Sequence, residues 1–352
     1  MKKLNKVISL GMAAIVGMTA LAGCAKNQES AAQAEGAGNA RSNSVEADTE
    51  RLGDTEQNTS EKKINVVATI FPEYDFLRQI AGDQINLTML LTPGAESHSF
   101  EPTPQDIKMV DEADMFVYVG GDSDEWVNSI LDSVNTDSMK IVTLMDCVDL
   151  VEEELVEGMT PEEEEEAEAD GSKEEEVEYD EHVWTSPKNA MRIVQKLCDG
   201  LCEADAAHAD IYQKNTKDYL AKLQGLDQQF KDIVKHSARK EIIVGDRFPF
   251  RYFVDAYGLS YYAAFPGCST DTEPSADTIA FLTDKVKEDG IPVVFHIELS
   301  NEKVCDSICE ATGAKSELLN AVHNVSKEDF EHGVTYFDLM EHNVQVLEEA
   351  LN

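Results

Sequence analysis

The chain has 352 residues, enough for one large or two medium domains with real cores, and 42% of them are hydrophobic, a globular composition. Its 69 acidic residues outnumber 29 Lys and Arg for a net charge of −40. A field of that sign repels phosphates, which argues against nucleic acid and an anionic membrane face as partners and leaves cations as the natural attraction.

The first residues are built for export. Lys2, Lys3 and Lys6 precede an apolar run from Val7 to Ala20, too short for a comfortable membrane span, and small residues follow. Leu21-Ala22-Gly23-Cys24 resembles the bacterial lipobox. That resemblance implies a signal peptide over 1–23, cleavage before Cys24 and a lipid on its sulfur, so that the mature protein is tethered and does not span. The competing reading is an ordinary cleaved signal. Residues 24–62 are then a flexible linker, rich in Ala, Gly, Ser, Asn, Gln, Glu and Asp and too poor in bulky apolar residues to fold.

A strand–helix rhythm begins at Ile64. Ile64 to Phe71 reads as a buried parallel strand, Glu73 to Gly82 as a helix, Ile85 to Leu91 as a second strand and Gln105 to Ala113 as a short helix. Met115 to Val119 gives a third strand, a helix follows through Trp126 and Leu131, and Ile141 to Leu144 is a fourth strand. Such alternation implies a parallel sheet covered by helices, an N-terminal lobe over 63–186. It contains a run over 152–181 that is about half acidic and should stay solvated, either as a bland excursion or as a weak cation-gathering antenna.

From Pro187, well placed in a first helical turn, apolar positions repeat at helical spacing to about His236, with an interruption near Ala204 to His208. This predicts a long linking helix over 187–237. A second βα lobe, 238–352, follows: a strand over Glu241 to Val244, a helix over Asp277 to Glu288, a buried strand over Pro292 to Glu298, and a helix from Glu302 to Thr312 stopped by Gly313. His296 and Glu298, two apart, share one face if that strand is regular. Of the seven cysteines, Cys198/Cys202 and Cys305/Cys309 have i, i+4 spacing, which suits small buried residues better than a disulfide framework.

Two segments carry chemistry. Pro93, Gly94, His98, Phe100, Glu101, Pro102 and Pro104 form a loop that leaves the C-terminal end of a strand, where open α/β sheets place ligands. Asp180, His182, Trp184, Pro187, Asn189 and Ala190 form the other. Both resemble the metal-binding segments of the solute-binding proteins of zinc and manganese ABC transporters, and Phe250 to Leu259 is similar to the corresponding second-lobe segment. The resemblance covers about Ile64 to Asn352 except the acidic run. It implies two (β/α) lobes joined by a long helix and an interlobe metal site that holds a divalent transition metal ion, Zn2+ or Mn2+, as transported cargo. It further implies a lipid-anchored monomer on the extracytoplasmic face of a bacterial membrane that hands its ion to an ABC permease and its ATPase.

Ligand assignment is clearer in the first lobe. The resemblance gives His98 and His182 as ligands, with Asp180 as the acceptor that fixes the His182 tautomer. In the second lobe Arg247 occupies a position where the resembling family carries a ligand, and a guanidinium cannot coordinate a cation. Glu298, where that family often has a glutamate, and His323, three residues after Asn320, a position the family commonly fills with Asp, are taken as the second-lobe metal ligands; the alternative for His323 is that it caps a helix near Ser326. Asp246 and His296 are further candidates, and Asp246 and Arg247 can also pair with each other or with neighbours. A nitrogen-rich set favours zinc over manganese, with binding weakening below about pH 6 as imidazoles protonate. No HExxH helix or nucleophile elbow occurs, so an enzyme is not expected. The alternative reading is a metal-containing surface adhesin or scaffold lipoprotein.

Overall fold

The computed structural model describes residues 62–96, 100–159, 178–269 and 274–352. The predicted signal peptide, Cys24, the predicted linker up to residue 61, His98 and most of the acidic run lie outside the described residues.

Two four-stranded parallel sheets organise these residues. The first contains β1 (Asn65–Ala68), β2 (Asn86–Met89), β3 (Met115–Tyr118) and β4 (Lys140–Thr143) in the order β2-β1-β3-β4. The second contains β5 (Glu241–Arg247), β6 (Ser260–Phe265), β7 (Val293–His296) and β8 (Lys315–Leu318) in the order β6-β5-β7-β8. This is the α/β class with two lobes that the rhythm predicts.

Helix starts follow local chemistry. In α1 (Phe71–Ala81) Pro72 sits in the first turn and Glu73 accepts the N–H groups of Thr69 at 2.8 Å and Ile70 at 3.2 Å. These are donors that no helical carbonyl can reach. In α2 (Pro104–Asp111) Thr103 and Asp106 form a reciprocal capping box, and α3 is Glu125–Leu131.

The predicted linking helix is two helices. α4 (Pro187–Ala204) ends at Asp205, a 3-10 turn covers Ala206–His208, and α5 (Ala209–His236) runs on for 28 residues, roughly 42 Å. Asp205 is extended (φ −139°, ψ 76°), and its carboxylate accepts Tyr212 Oη–H and pairs with His208 Nδ1, both at 2.7 Å. These bonds fix the break that the loss of apolar period signals. α4 packs on α5, while α5 also lies against α1 of the first lobe and against α10 (Tyr336–Leu351) of the second.

Between α5 and α10 come α6 (Arg251–Tyr257), α7 (Ala276–Asp289), α8 (Lys303–Thr312) and α9 (Lys327–His332). Ser326 caps α9 by accepting Asp329 N–H, so His323 is not the cap. α6, β6, β8 and α10 lie outside the elements that the sequence pattern predicts. The two described ends of the acidic run pair with each other: Glu152 bridges Tyr179 and Glu153 N–H donates to Glu178 O at 3.0 Å. No disulfide forms among the described residues.

One hydrophobic core crosses both lobes. Val66, Val117, Val244 and Phe295 belong to it, one strand face from each sheet, whereas Val67 and Phe116 face a core under α2 and α3, and Ile243 and Val294 face another under α7 and α8. Side chains alternate across each strand, so the central strands β1, β3, β5 and β7 each serve two cores.

Candidate metal centre

The strand ends of the first sheet and the loops of the second meet at a narrow cleft lined by Thr69, Phe100, Trp126, His182, Trp184 and His323 among others. Thr69 follows β1, whose C-terminal end is the expected position for a ligand site in a parallel sheet.

His182 lies on the segment leading into α4 and is fully buried. Asp180 Oδ1 accepts the His182 main-chain N–H at 2.8 Å and lies 3.2 Å from Nδ1. A proton on Nδ1 suits this contact and leaves Nε2 as a lone-pair donor, the usual second-sphere arrangement of a metal-binding imidazole. Burial, then the neighbouring charges of His323 and Arg247, hold the His182 pKa well below the ordinary imidazole range. Asp180 is fully buried, its Oδ2 has no hydrogen-bond partner among the described residues, and burial pushes its pKa up to about 7. A cation in this cleft would stabilise the charged form of that carboxylate.

His323 comes from the second lobe, in the loop after β8. Its ring centroid is 4.7 Å from that of His182, at an interplanar angle of 80°. Trp184 stands edge-on to both imidazoles, at 5.5 Å from His182 and 5.4 Å from His323, and its indole N–H donates to Ala321 O at 2.8 Å. The residue between, Val322, has φ +64°. A β-branched residue in the left-handed region is rare and is kept only where its surroundings over-determine it. Here they do: Glu298 Oε2 accepts Ala321 N–H at 2.7 Å, Glu298 Oε1 accepts His323 N–H at 2.8 Å, and His323 O accepts Phe71 N–H at 3.3 Å.

The second-lobe expectations divide accordingly. β7 ends at His296, so Glu298 stands in the following turn, with Leu299 at φ +61°, and the same-face argument for His296 and Glu298 fails. Glu298 nevertheless reaches the site by holding His323, 3.5 Å from its Nδ1. His296 Nδ1 instead contacts Ile297 O at 3.3 Å, and Asp246 Oδ1 accepts Arg247 N–H at 2.9 Å. Arg247 pairs with Glu96 at 2.9 Å. Among the described residues no group of three or more metal-donor side chains gathers, and the described pair is His182 with His323.

Sequence reasoning missed Gly267. A methyl group there would stand 3.0 Å from His182 Cε1 and 3.1 Å from Asp180 Oδ2, so a larger residue would have to displace the imidazole or the carboxylate by a few tenths of an ångström. Position 267 sits in a Pro-Gly turn, a signal of a turn but not of the ring it faces. Asp124 was also passed over: its carboxylate lines the same cleft and accepts the N–H groups of Val119 and Gly120 at 2.8 and 3.0 Å.

Known proteins share this architecture. Residues 66–350 match the family described as zinc-uptake complex component A, periplasmic. The chain is 34% identical over 289 residues to the high-affinity zinc uptake system protein ZnuA of Bacillus subtilis, covering 82% of this chain and 88% of that protein. It is 31% identical to the zinc-binding lipoprotein AdcA of Streptococcus pneumoniae over 84% of this chain but only 57% of that longer protein. The crystal structure of the Zn(II)-bound ZnuA-like domain of that AdcA superposes with a TM-score of 0.68 at 28% identity, over 82% of this chain and 99% of that one. A match over most of the described residues, with the same two-lobed sheets, establishes that the chain belongs to the periplasmic zinc-uptake component A family of solute-binding proteins.

Proposed function

We propose that the protein captures Zn2+ between its lobes, through His98 and His182 of the first lobe and His323 of the second, and delivers it to a membrane permease driven by an ATPase. The observation that carries this reading is the meeting of His182 and His323, from different lobes, at 4.7 Å between ring centroids. One ion with Zn–N bonds near 2.0 to 2.1 Å can bridge two such rings. Glu298 and Asp180 then act from behind the imidazoles, orienting and polarising them. A donor set dominated by imidazole favours zinc over manganese. Ion release follows from separation of the lobes, and the core shared by both lobes limits that separation to a small displacement.

The test uses the full chain. Metal content and chelator-competition affinity are measured for wild type and for His98→Ala, His182→Ala, His323→Ala and Glu298→Ala. The expected result is one tightly held zinc per chain, lost with each histidine and weakened with Glu298→Ala. Absence of a tightly held transition metal in wild type overturns the reading. Lipid attachment at Cys24 is tested by Cys24→Ser, which should move the protein from the membrane fraction to the soluble extracytoplasmic fraction.

A further inference from the structure

The segment that leaves β2, residues 92–96, belongs to the first lobe but is held by the second. Asn324 Nδ2 donates to Thr92 O and to Ala95 O, each at 2.9 Å, and Gly94 N–H donates to Val325 O at 2.8 Å. Beyond these neutral contacts comes one charged link. Arg247, at the end of β5, directs Nη2 to Glu96 Oε2 at 2.9 Å and Nη1 to Glu96 Oε1 at 3.4 Å, and its Nη1 also donates to Ser269 O at 3.2 Å. Two guanidinium nitrogens thus face the two carboxylate oxygens, with one short and one long contact. The two residues line a small hollow together with Glu298 and His323. The pair therefore borders the same hollow as the second-lobe imidazole.

We propose that Arg247 and Glu96 form an interlobe latch: the ion pair holds the 92–96 segment against the second lobe and slows release of the bound cation, and Glu96 neutralises a guanidinium that would otherwise repel that cation. Arg247 and Glu96 are positioning residues in this scheme, and the proposal rests on the zinc-capture reading above. The Arg247 side chain is 16% exposed and that of Glu96 45%, so water and salt reach the pair. A pair of this kind is screened as ionic strength rises, which gives the latch a signature that neutral hydrogen bonds lack. The two partners are also not equivalent. Removing Glu96 leaves an unmatched cation beside the site, whereas removing Arg247 leaves an anion that attracts the ion while the segment loosens.

The test is a double-mutant cycle on the full chain, with zinc dissociation followed by stopped-flow transfer to a chromogenic chelator at about 20 mM and about 1 M salt. Glu96→Gln and Arg247→Met should each speed release about threefold to tenfold at low salt, Glu96→Gln more than Arg247→Met. The double variant should fall short of the product of the two effects, and all differences should shrink at high salt. The charge-swapped pair Glu96→Arg with Arg247→Glu should recover part of the slow release. If wild type holds zinc and both single variants release it at the wild-type rate, or if their effects are independent of salt, the latch is refuted. If wild type holds no zinc tightly, the transport reading fails and the latch with it.

Discussion

Glu298 accepts the main-chain N–H of His323 on one carboxylate oxygen and that of Ala321 on the other, at 2.8 and 2.7 Å. Two amides that flank a strained Val322 are thus fixed by one side chain, and the orientation of the second-lobe imidazole depends on it. Replacing Glu298 with Gln keeps the shape but turns an amide group toward one of those N–H donors. An unmatched buried donor costs about 1–3 kcal/mol. We expect Glu298→Gln to lower the unfolding free energy by that amount in urea titrations. Zinc affinity should fall about 10- to 100-fold with the one-zinc stoichiometry retained, whereas His323→Ala should abolish tight binding.

Asp180 plays the matching part in the first lobe, with Oδ1 at 2.8 Å from the His182 N–H and 3.2 Å from Nδ1. Asp180→Asn retains one acceptor but removes the charge that polarises the ring. A loss of about 10- to 100-fold in zinc affinity is expected by competition titration. Wild-type affinity in this variant would remove Asp180 from the account.

Gly267 tests how closely the second lobe must approach. A Cβ at this position meets His182 Cε1 and Phe248 O, both at 3.0 Å, inside normal contact distance. Gly267→Ala should push the imidazole aside by a few tenths of an ångström and reduce zinc affinity by about an order of magnitude, because the ligand geometry tolerates little displacement. Far-UV circular dichroism should stay unchanged.

Asp124 gives a pH signature in the metal-free protein. Burial, opposed by its bond to Gly120 N–H and assisted by the Glu181 charge, raises its pKa to about 6. The unfolded chain holds the same carboxyl near 3.9. A group whose folded pKa is raised stabilises the fold below its unfolded pKa, and that contribution fades as pH rises through the folded value. Asp124 therefore contributes up to about 3 kcal/mol near pH 4 that is lost by about pH 7. Asp124→Asn keeps an oxygen for the Val119 and Gly120 N–H groups and should flatten the dependence of Tm on pH between 4 and 7. An unchanged pH profile would contradict this.

The strand and helix rhythm was readable because each element announces itself locally. Val66, Val67, Ile242 and Ile243 make β-branched runs that suit strands buried on both faces, while Pro72, Pro104 and Pro187 open helices at positions where a missing N–H costs nothing. His182 was readable for the same reason, since Asp180, Trp184 and Pro187 surround it within a few residues. Less was visible where the local signal was weak. β8, Lys-Ser-Glu-Leu, has no apolar alternation and becomes a strand only because β7 pairs with it. β6 carries an aromatic signal in Tyr261, Tyr262 and Phe265, too short to mark a strand by itself.

Sequence by itself determined the fold class, the family resemblance and the first-lobe segment around His182, because these rest on periodicity and on spacings of a few residues. Tertiary structure decided the rest. It alone turned Glu298 from a strand residue into the support of His323, 25 positions away, and joined Arg247 to Glu96 across 151 positions. Such pairings depend on where two sheets end in space, and no local pattern encodes a partner that only folding brings within reach.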